Sequence, residues 1–182
     1  MPWRFRDKKT LFTGKRVTLE LQHLHNDATN AEHTREVVKT SDAVVIVPVM
    51  DDGRIVLIRN YRWAPARELI ELPAGAIDPG EMPTNAAGRE LLEETGFLAQ
   101  KIQPLGWFYM SPGILTEKMY AFVATGLVQS VARPDLGEEI TPVPTPLKEV
   151  LGMIQTNDIA DAKTVAAMLL YHTFGPQQLI QD

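Results

Sequence analysis

The chain has 182 residues, 45% hydrophobic and 23% charged, which suits one compact domain with at most a small appended subdomain. Its net charge of -5, with no Lys/Arg run beyond the terminal "RFRDKK", argues against a nucleic-acid partner, because phosphate binding leaves a basic stripe. With no cysteine, disulfides, thiolate metal sites and cysteine nucleophiles are excluded. No apolar run reaches the length of a membrane span or signal core, so a cytoplasmic protein without membrane contact is expected.

From residue 11 to 25, "LFTGKRVTLELQHLH" alternates Val17, Leu19 and Leu21 with Arg16, Thr18, Glu20 and Gln22, the pattern of one strand with a wet face. "HTREVVK" reads as its partner. "AVVIVPVM" and "RIVLIRNY" are apolar enough to be buried strands, and the "DDG" between them predicts a hairpin, with Pro48 marking the first as irregular or an edge. "ELIELPAGAIDPGEMP" predicts a short strand running into a loop, where Asp78-Pro79-Gly80 makes a tight turn.

A helix is expected from near Pro83, whose missing N–H costs nothing in a first turn, to Gly96, a natural left-handed cap. "GWFYM" and "KMYAFVATGL" read as two further strands around "SPGILTE". Leu147, Val150, Leu151 and Ile154 keep helical spacing, and a last helix starting near Asp161 is expected to turn Val165, Met168 and Leu169 inward. The strands are too clustered for a regular β-α-β alternation, so an α+β or layered α/β/α domain follows, with the N-terminal strands forming a small sheet of their own.

Within the first helix, Glu90, Glu93 and Glu94 are three and four positions apart and share one face, while Leu91 and Leu92 point to the other side. Like charges at this spacing repel by a few tenths of a kcal/mol per pair, and two glutamates near a helix C-terminus also oppose its dipole. A solvated acidic face is the plain reading of three such glutamates. Gly88 inside the helix suggests close approach of something to the backbone, and Arg89 is placed to orient carboxylates with its planar fork. A hard divalent cation relieves the repulsion directly: Mg²⁺ or Mn²⁺ prefers oxygen ligands and binds substrate phosphates beside one or two carboxylates.

Gly75 is followed by five residues, Glu81, seven residues, Arg89-Glu90-Leu91, one residue, Glu93-Glu94, one residue and Gly96-Phe97. This resembles the signature of the Nudix hydrolases at every fixed position. The resemblance implies an α/β fold, a Nudix-type α/β/α sandwich over residues 41–182, with a small N-terminal antiparallel β-sheet subdomain over 1–40 that serves as a homodimer contact. It also implies hydrolysis of a nucleoside diphosphate linked to another moiety. By motif position, Glu90 and Glu94 are metal ligands, Glu93 a third ligand or close support, and the Ala74 carbonyl a further ligand. Arg89 and Glu81 pair to hold the helix against the loop, with Gly75 and Gly96 as structural support.

Pro112, fifteen residues beyond Phe97, together with "NYRW" and "ELIELPAG", resembles the ADP-ribose pyrophosphatase group. That likeness implies ADP-ribose or a related nucleoside diphosphate sugar as substrate. Arg62, with Arg67 as a weaker candidate, is then the pyrophosphate or ribose contact. Glu117 lies near the metals or the substrate, and Glu138 or Glu139 in "RPDLGEEI" is the base or a further ligand, the choice left open. Arg16 and Arg35 stand where similar enzymes grip the base with aromatic rings; guanidinium stacking can replace these. Phe12 and Trp63 are the aromatic candidates. The arginines also favour an alternative, a GDP-mannose-preferring or broad pyrophosphatase. A non-catalytic nucleotide sensor is disfavoured because every charged motif position is intact, and the histidines at 23, 25, 33 and 172 receive no role.

Overall fold

A computed structural model describes residues 2–132 and 140–178. Contacts divide the chain into two compact units, Met1–Asp42 with Tyr109–Lys118, and Ala43–Phe108 with Met119–Asp182. The first is a three-stranded antiparallel sheet of β1 (Trp3–Thr13), β2 (Thr18–Asn26) and β3 (Ala31–Lys39) in that order. The single strand expected over 11–25 is therefore two strands, because Gly14 N–H bonds back to the Val17 carbonyl at 2.8 Å and reverses the chain. The basic terminal run belongs to β1.

The wet face expected of β2 is also corrected. Glu20 is buried and takes a 2.5 Å ion pair from Lys8, while Leu19 and Leu21 are only half-buried. A small sheet has too little apolar cover to sort its faces by alternation alone. The segment 109–118 is stitched to β3: Val38 N–H donates to the Ile114 carbonyl at 2.8 Å and Thr116 N–H to the Val38 carbonyl at 3.1 Å.

Among the described residues the second unit holds two sheets and three helices. One sheet runs β7 (Ala74–Ala76), β4 (Ala43–Pro48), β9 (Lys118–Gln129), β8 (Phe97–Tyr109); the other runs β10 (Ile140–Pro146), β5 (Arg54–Arg62), β6 (Arg67–Glu71). The predicted turn after β4 exists, with Met50 N–H on the Arg54 carbonyl at 2.9 Å, but only Val49 and Ile55 bridge. The two strands then part into different sheets. Nor is β4 an edge: it pairs β7 antiparallel and β9 parallel, and Pro48 simply ends it.

Val44 to Val47 and Ile55 to Ile58 are all fully buried, as strands covered on both faces require. Helix α1 (Pro83–Thr95) lays Ala86, Ala87 and Leu91 on Val44, Ile46, Phe122 and Ala124. Helix α3 (Ala162–Gln178, with a non-helical Gly175) also packs against β4, and α2 (Leu147–Gln155) packs against β10 and β5. The inward face of α3 is Lys163, Thr164, Ala167 and Met168; Leu169, expected inside, is exposed. β10 was not foreseen, since prolines at 142, 144 and 146 disguise a strand that pairs β5 on one side only. Among the described residues no helix is long and apolar enough to cross a membrane.

Candidate active site

Helix α1 begins as its sequence dictates. Pro83 occupies the first turn, and the N–H groups of Asn85 and Ala86 bond the Met82 carbonyl at 2.9 and 3.1 Å. At the other end Gly96 adopts φ 73° and returns its N–H to the Leu92 carbonyl at 2.9 Å. A side chain there would meet the Ala132 nitrogen at 2.9 Å as well as the left-handed strain, so glycine is required twice over.

With its apolar face spent on the core, α1 turns its glutamates toward β7. Glu94 is only 4% exposed, and its Oε2 accepts the Ala74 N–H at 2.8 Å. Glu90 lies against Gly75 so closely that a Cβ there would fall 2.0 Å from Glu90 Cδ. Close approach to a glycine thus occurs at Gly75 and not at Gly88, where a Cβ would meet only Ile102 Cδ1 at an ordinary 3.4 Å.

Arg89 resolves the repulsion within the helix. Its Nε and Nη2 fork onto Glu81 at 3.1 and 2.9 Å, Nη1 reaches Glu90 at 2.6 Å and Glu93 at 3.1 Å, and Nη2 also bonds the Ala76 carbonyl at 2.9 Å. One cation gathers three carboxylates and ties the helix to the loop after β7. The Glu81 hydrogen bond is the main reason the Arg89 guanidinium holds its proton above its usual range, and Arg89 in turn holds the Glu81 carboxyl below its ordinary 4.5.

A depressed carboxylate contributes stability that is full above its unfolded value and lost as pH falls through the folded one. The thermal midpoint of wild type should therefore exceed that of Arg89→Met at pH 6, and the gap should narrow as pH falls below about 4.5. A gap constant down to pH 3, measured by circular dichroism melts, would contradict this.

A second charged group lies on β5, β6 and α3. Glu71 is 1% exposed and receives a bidentate fork from Arg62, Nε to Oε1 at 2.9 Å and Nη2 to Oε2 at 2.7 Å, plus Lys163 Nζ at 2.5 Å on Oε2. Burial opposes its ionisation, but the Arg62 fork and Lys163 outweigh it and keep the carboxyl below the usual range. Lys163 also pairs with Asp161 at 2.9 Å, and Asp161 accepts the N–H and hydroxyl of Thr164 at 3.0 and 2.6 Å. The Leu72 N–H closes the set on Thr164 Oγ1 at 2.8 Å.

Two residues before Arg62 on the same strand face is Asn60, buried, whose Nδ2 has no hydrogen-bond partner among the described residues. A buried orphan donor beside a guanidinium suits an acceptor that arrives with a ligand. Neither Asn60 nor this network was singled out from sequence. Glu71 and Lys163 look like surface charges until the fold brings them together, and "NYR" spaced at two was the available signal.

The model of the NUDIX domain matches residues 39–168. The chain belongs to the Nudix family. Among its relatives, an ADP-ribose pyrophosphatase of Bacillus subtilis (strain 168) is 32% identical over 163 residues, covering 88% of each chain. A GDP-mannose pyrophosphatase of Citrobacter koseri is 32% identical over 172 residues, 89% of this chain and 88% of that one. A crystal structure of an ADP compounds hydrolase superposes with a TM-score of 0.87 at 29% identity, covering 98% of this chain and 96% of its own.

In this Nudix chain the motif residues Ala74, Gly75, Glu81, Arg89, Glu90, Glu93, Glu94 and Gly96 all fall in the second unit, on β7, α1 and the loop between them. Arg62 and Arg67 stand opposite each other at the mouth of the β5–β6 hairpin, Arg67 exposed and Arg62 engaged with Glu71. Arg16, Arg35, Pro112 and Glu117 belong to the first unit. Arg16 lies in the exposed turn between β1 and β2, not in a strand, and Arg35 is exposed on β3. Pro112 is exposed in a turn closed by the Ile114 and Leu115 N–H groups on the Ser111 carbonyl at 3.0 and 2.8 Å, and Glu117 is half-buried after it. Glu138 and Glu139 lie outside the described residues. Trp63 is exposed, edge-on to Tyr61 at 5.1 Å, and Phe12 is exposed on β1.

Nudix hydrolases depend on a divalent metal, and the donor chemistry here fits one. Glu90, Glu93, Glu94 and the Ala74 carbonyl offer only oxygen, and the missing Cβ of Gly75 leaves the Glu90 carboxylate room beside the strand. Among the described residues no three Asp, Glu or His side chains are disposed to hold an ion together, and Arg89 engages Glu90 and Glu93. Arg89 supplies the neutralising charge in this arrangement.

Proposed function

We propose that the chain is a cytoplasmic, homodimeric hydrolase that cleaves the pyrophosphate bond of ADP-ribose or a related nucleoside diphosphate sugar, with Mg²⁺ as cofactor and Mn²⁺ able to replace it. The observation that carries the reading is the Nudix helix itself, with Glu94 fixed to the Ala74 backbone and Glu90 set against Gly75. The relatives named for ADP-ribose and ADP compounds support the substrate class.

In the proposed reaction a water oxygen bonds to one phosphorus, the bond from that phosphorus to the bridging oxygen breaks, and the bridging oxygen leaves on the other phosphate. The products are a nucleoside monophosphate and a sugar phosphate. A bound divalent ion supplies charge neutralisation on the phosphate oxygens and activation of the water. Glu90, Glu93, Glu94 and the Ala74 carbonyl would hold it. Arg89, through Glu81, keeps the carboxylate face of α1 oriented. Arg62 and the Asn60 Nδ2 donate to the diphosphate, and Arg67 adds positive charge at the hairpin mouth. Glu138, Glu139 or Glu117 takes the water proton.

Residues of β1 are exposed along the whole strand, including Trp3, Phe5, Leu11 and Phe12, and this edge is read as the seat of a second copy, with residues 1–40 as the dimer contact. A monomeric mass by light scattering removes that part of the proposal. Arg16 and Arg35 are assigned to the nucleobase and Pro112 to the loop that borders the substrate. The exposed arginines and the Citrobacter koseri relative favour a second reading, GDP-mannose or broad nucleotide-sugar preference.

Assay of ADP-ribose, GDP-mannose, other nucleotide sugars, dinucleotides and nucleoside triphosphates with Mg²⁺ tests both readings. The expected result is cleavage of nucleoside diphosphate sugars that EDTA abolishes, with kcat/KM for ADP-ribose above that for GDP-mannose. Cleavage of triphosphates alone would sink the substrate assignment.

A further inference from the structure

The Glu71 carboxylate is shared unequally between two cations. Arg62 is 34% exposed, with two of its N–H donors on Glu71 and others left for a further acceptor. Lys163 is 11% exposed and has a second anchor in Asp161, itself held by Thr164, so its position does not depend on Arg62. Two cations and two carboxylates balance, and Arg62 is the more exposed of the two cations. If Arg62 turns to another anion, Glu71 stays buried. An unpaired buried carboxylate is strongly disfavoured, so Arg62 can leave only if another cation remains.

We propose that Lys163 is a positioning residue for substrate capture: it keeps the Glu71 carboxylate paired on its own, so that the Arg62 guanidinium can turn from Glu71 to a phosphate oxygen of the substrate. The proposal rests on the reading of Arg62 as a diphosphate contact. It explains why a buried carboxylate three residues before Ala74 is held by two cations, one of them anchored independently on Asp161. With a neutral side chain at 163, Glu71 would trap Arg62. Neutralising Glu71 as well would release it.

That suppression is the test. The Kd for ADP with Mg²⁺ by titration calorimetry and the KM for ADP-ribose should both rise about tenfold in Lys163→Met, with kcat within about twofold of wild type. Both should return to within about twofold of wild type in Glu71→Gln/Lys163→Met, and Lys163→Arg should match wild type. A double variant that binds no better than Lys163→Met, or a Lys163→Met that binds as wild type does, overturns the proposal.

Should Lys163→Met not fold, Glu71→Gln and the double variant are both expected to bind ADP at least as tightly as wild type, and weaker binding in either overturns it. ADP binding needs no turnover. Wild type that binds ADP yet cleaves no nucleotide sugar removes the hydrolase reading and leaves the Kd series to decide; wild type that does not bind ADP overturns the proposal itself.

Discussion

Glu94→Gln is expected to lower kcat by on the order of 10³-fold, equivalent to about 4 kcal/mol of lost transition-state stabilisation, while the thermal midpoint stays level or rises. The side chain is almost fully buried, and its Oε2 accepts the Ala74 N–H. An amide of the same shape still accepts that hydrogen bond through its own oxygen, so the tie between α1 and β7 survives. What disappears is one negative charge from a face shared with Glu90 and Glu93, which relieves repulsion and removes a proposed metal ligand. Melting and turnover measured on the same preparation separate these effects. Full activity with unchanged metal affinity would take Glu94 out of the ligand set, and a lowered midpoint would make it a structural residue first.

Gly75→Ala is the second large effect. The added methyl would lie 2.0 to 2.3 Å from three atoms of the Glu90 carboxyl group, well inside contact distance. Either Glu90 swings away or β7 moves off β4, and overpacking of this kind costs about 1–3 kcal/mol of stability. A displacement near 1 Å in a positioned group lowers turnover by about 10²-fold, so kcat should fall by about that factor or more. Gly88→Ala is the matched control. A Cβ there meets Ile102 at ordinary contact distance, and alanine is the better helix former. Equal losses in the two variants would show that the Gly75 contact has no special role.

Much of the site was legible because helical spacing is local. Glu90, Glu93 and Glu94 share a face for any backbone that is helical there, and Pro83 and Gly96 mark its ends by their own backbone preferences. The role of Arg89 was readable in kind, though not its reach to the Ala76 carbonyl or to three carboxylates at once. Gly88 misled because a glycine in a helix is equally consistent with close packing and with none. Only the neighbouring strand tells which.

The strands show the same division. Apolar runs at 43–48 and 54–58 identified buried strands, yet the hairpin between them leads into two different sheets, since pairing depends on β9 and β10, which arrive about 70 or more residues later. Alternation failed for β2, where Glu20 is buried against Lys8, and Leu169 failed on α3 because the neighbouring elements favour the Lys163 face.

By itself the sequence determined the family chemistry and the location of the acidic helix, because both rest on spacings within some two dozen residues. The tertiary structure alone decided which charges are buried together. Arg62, Glu71, Asp161 and Lys163 are as many as about 100 positions apart and meet only because α3 packs beside the end of β6. Desolvation makes such a pairing strong or costly, and desolvation is a property of the packed interior that no local spacing records.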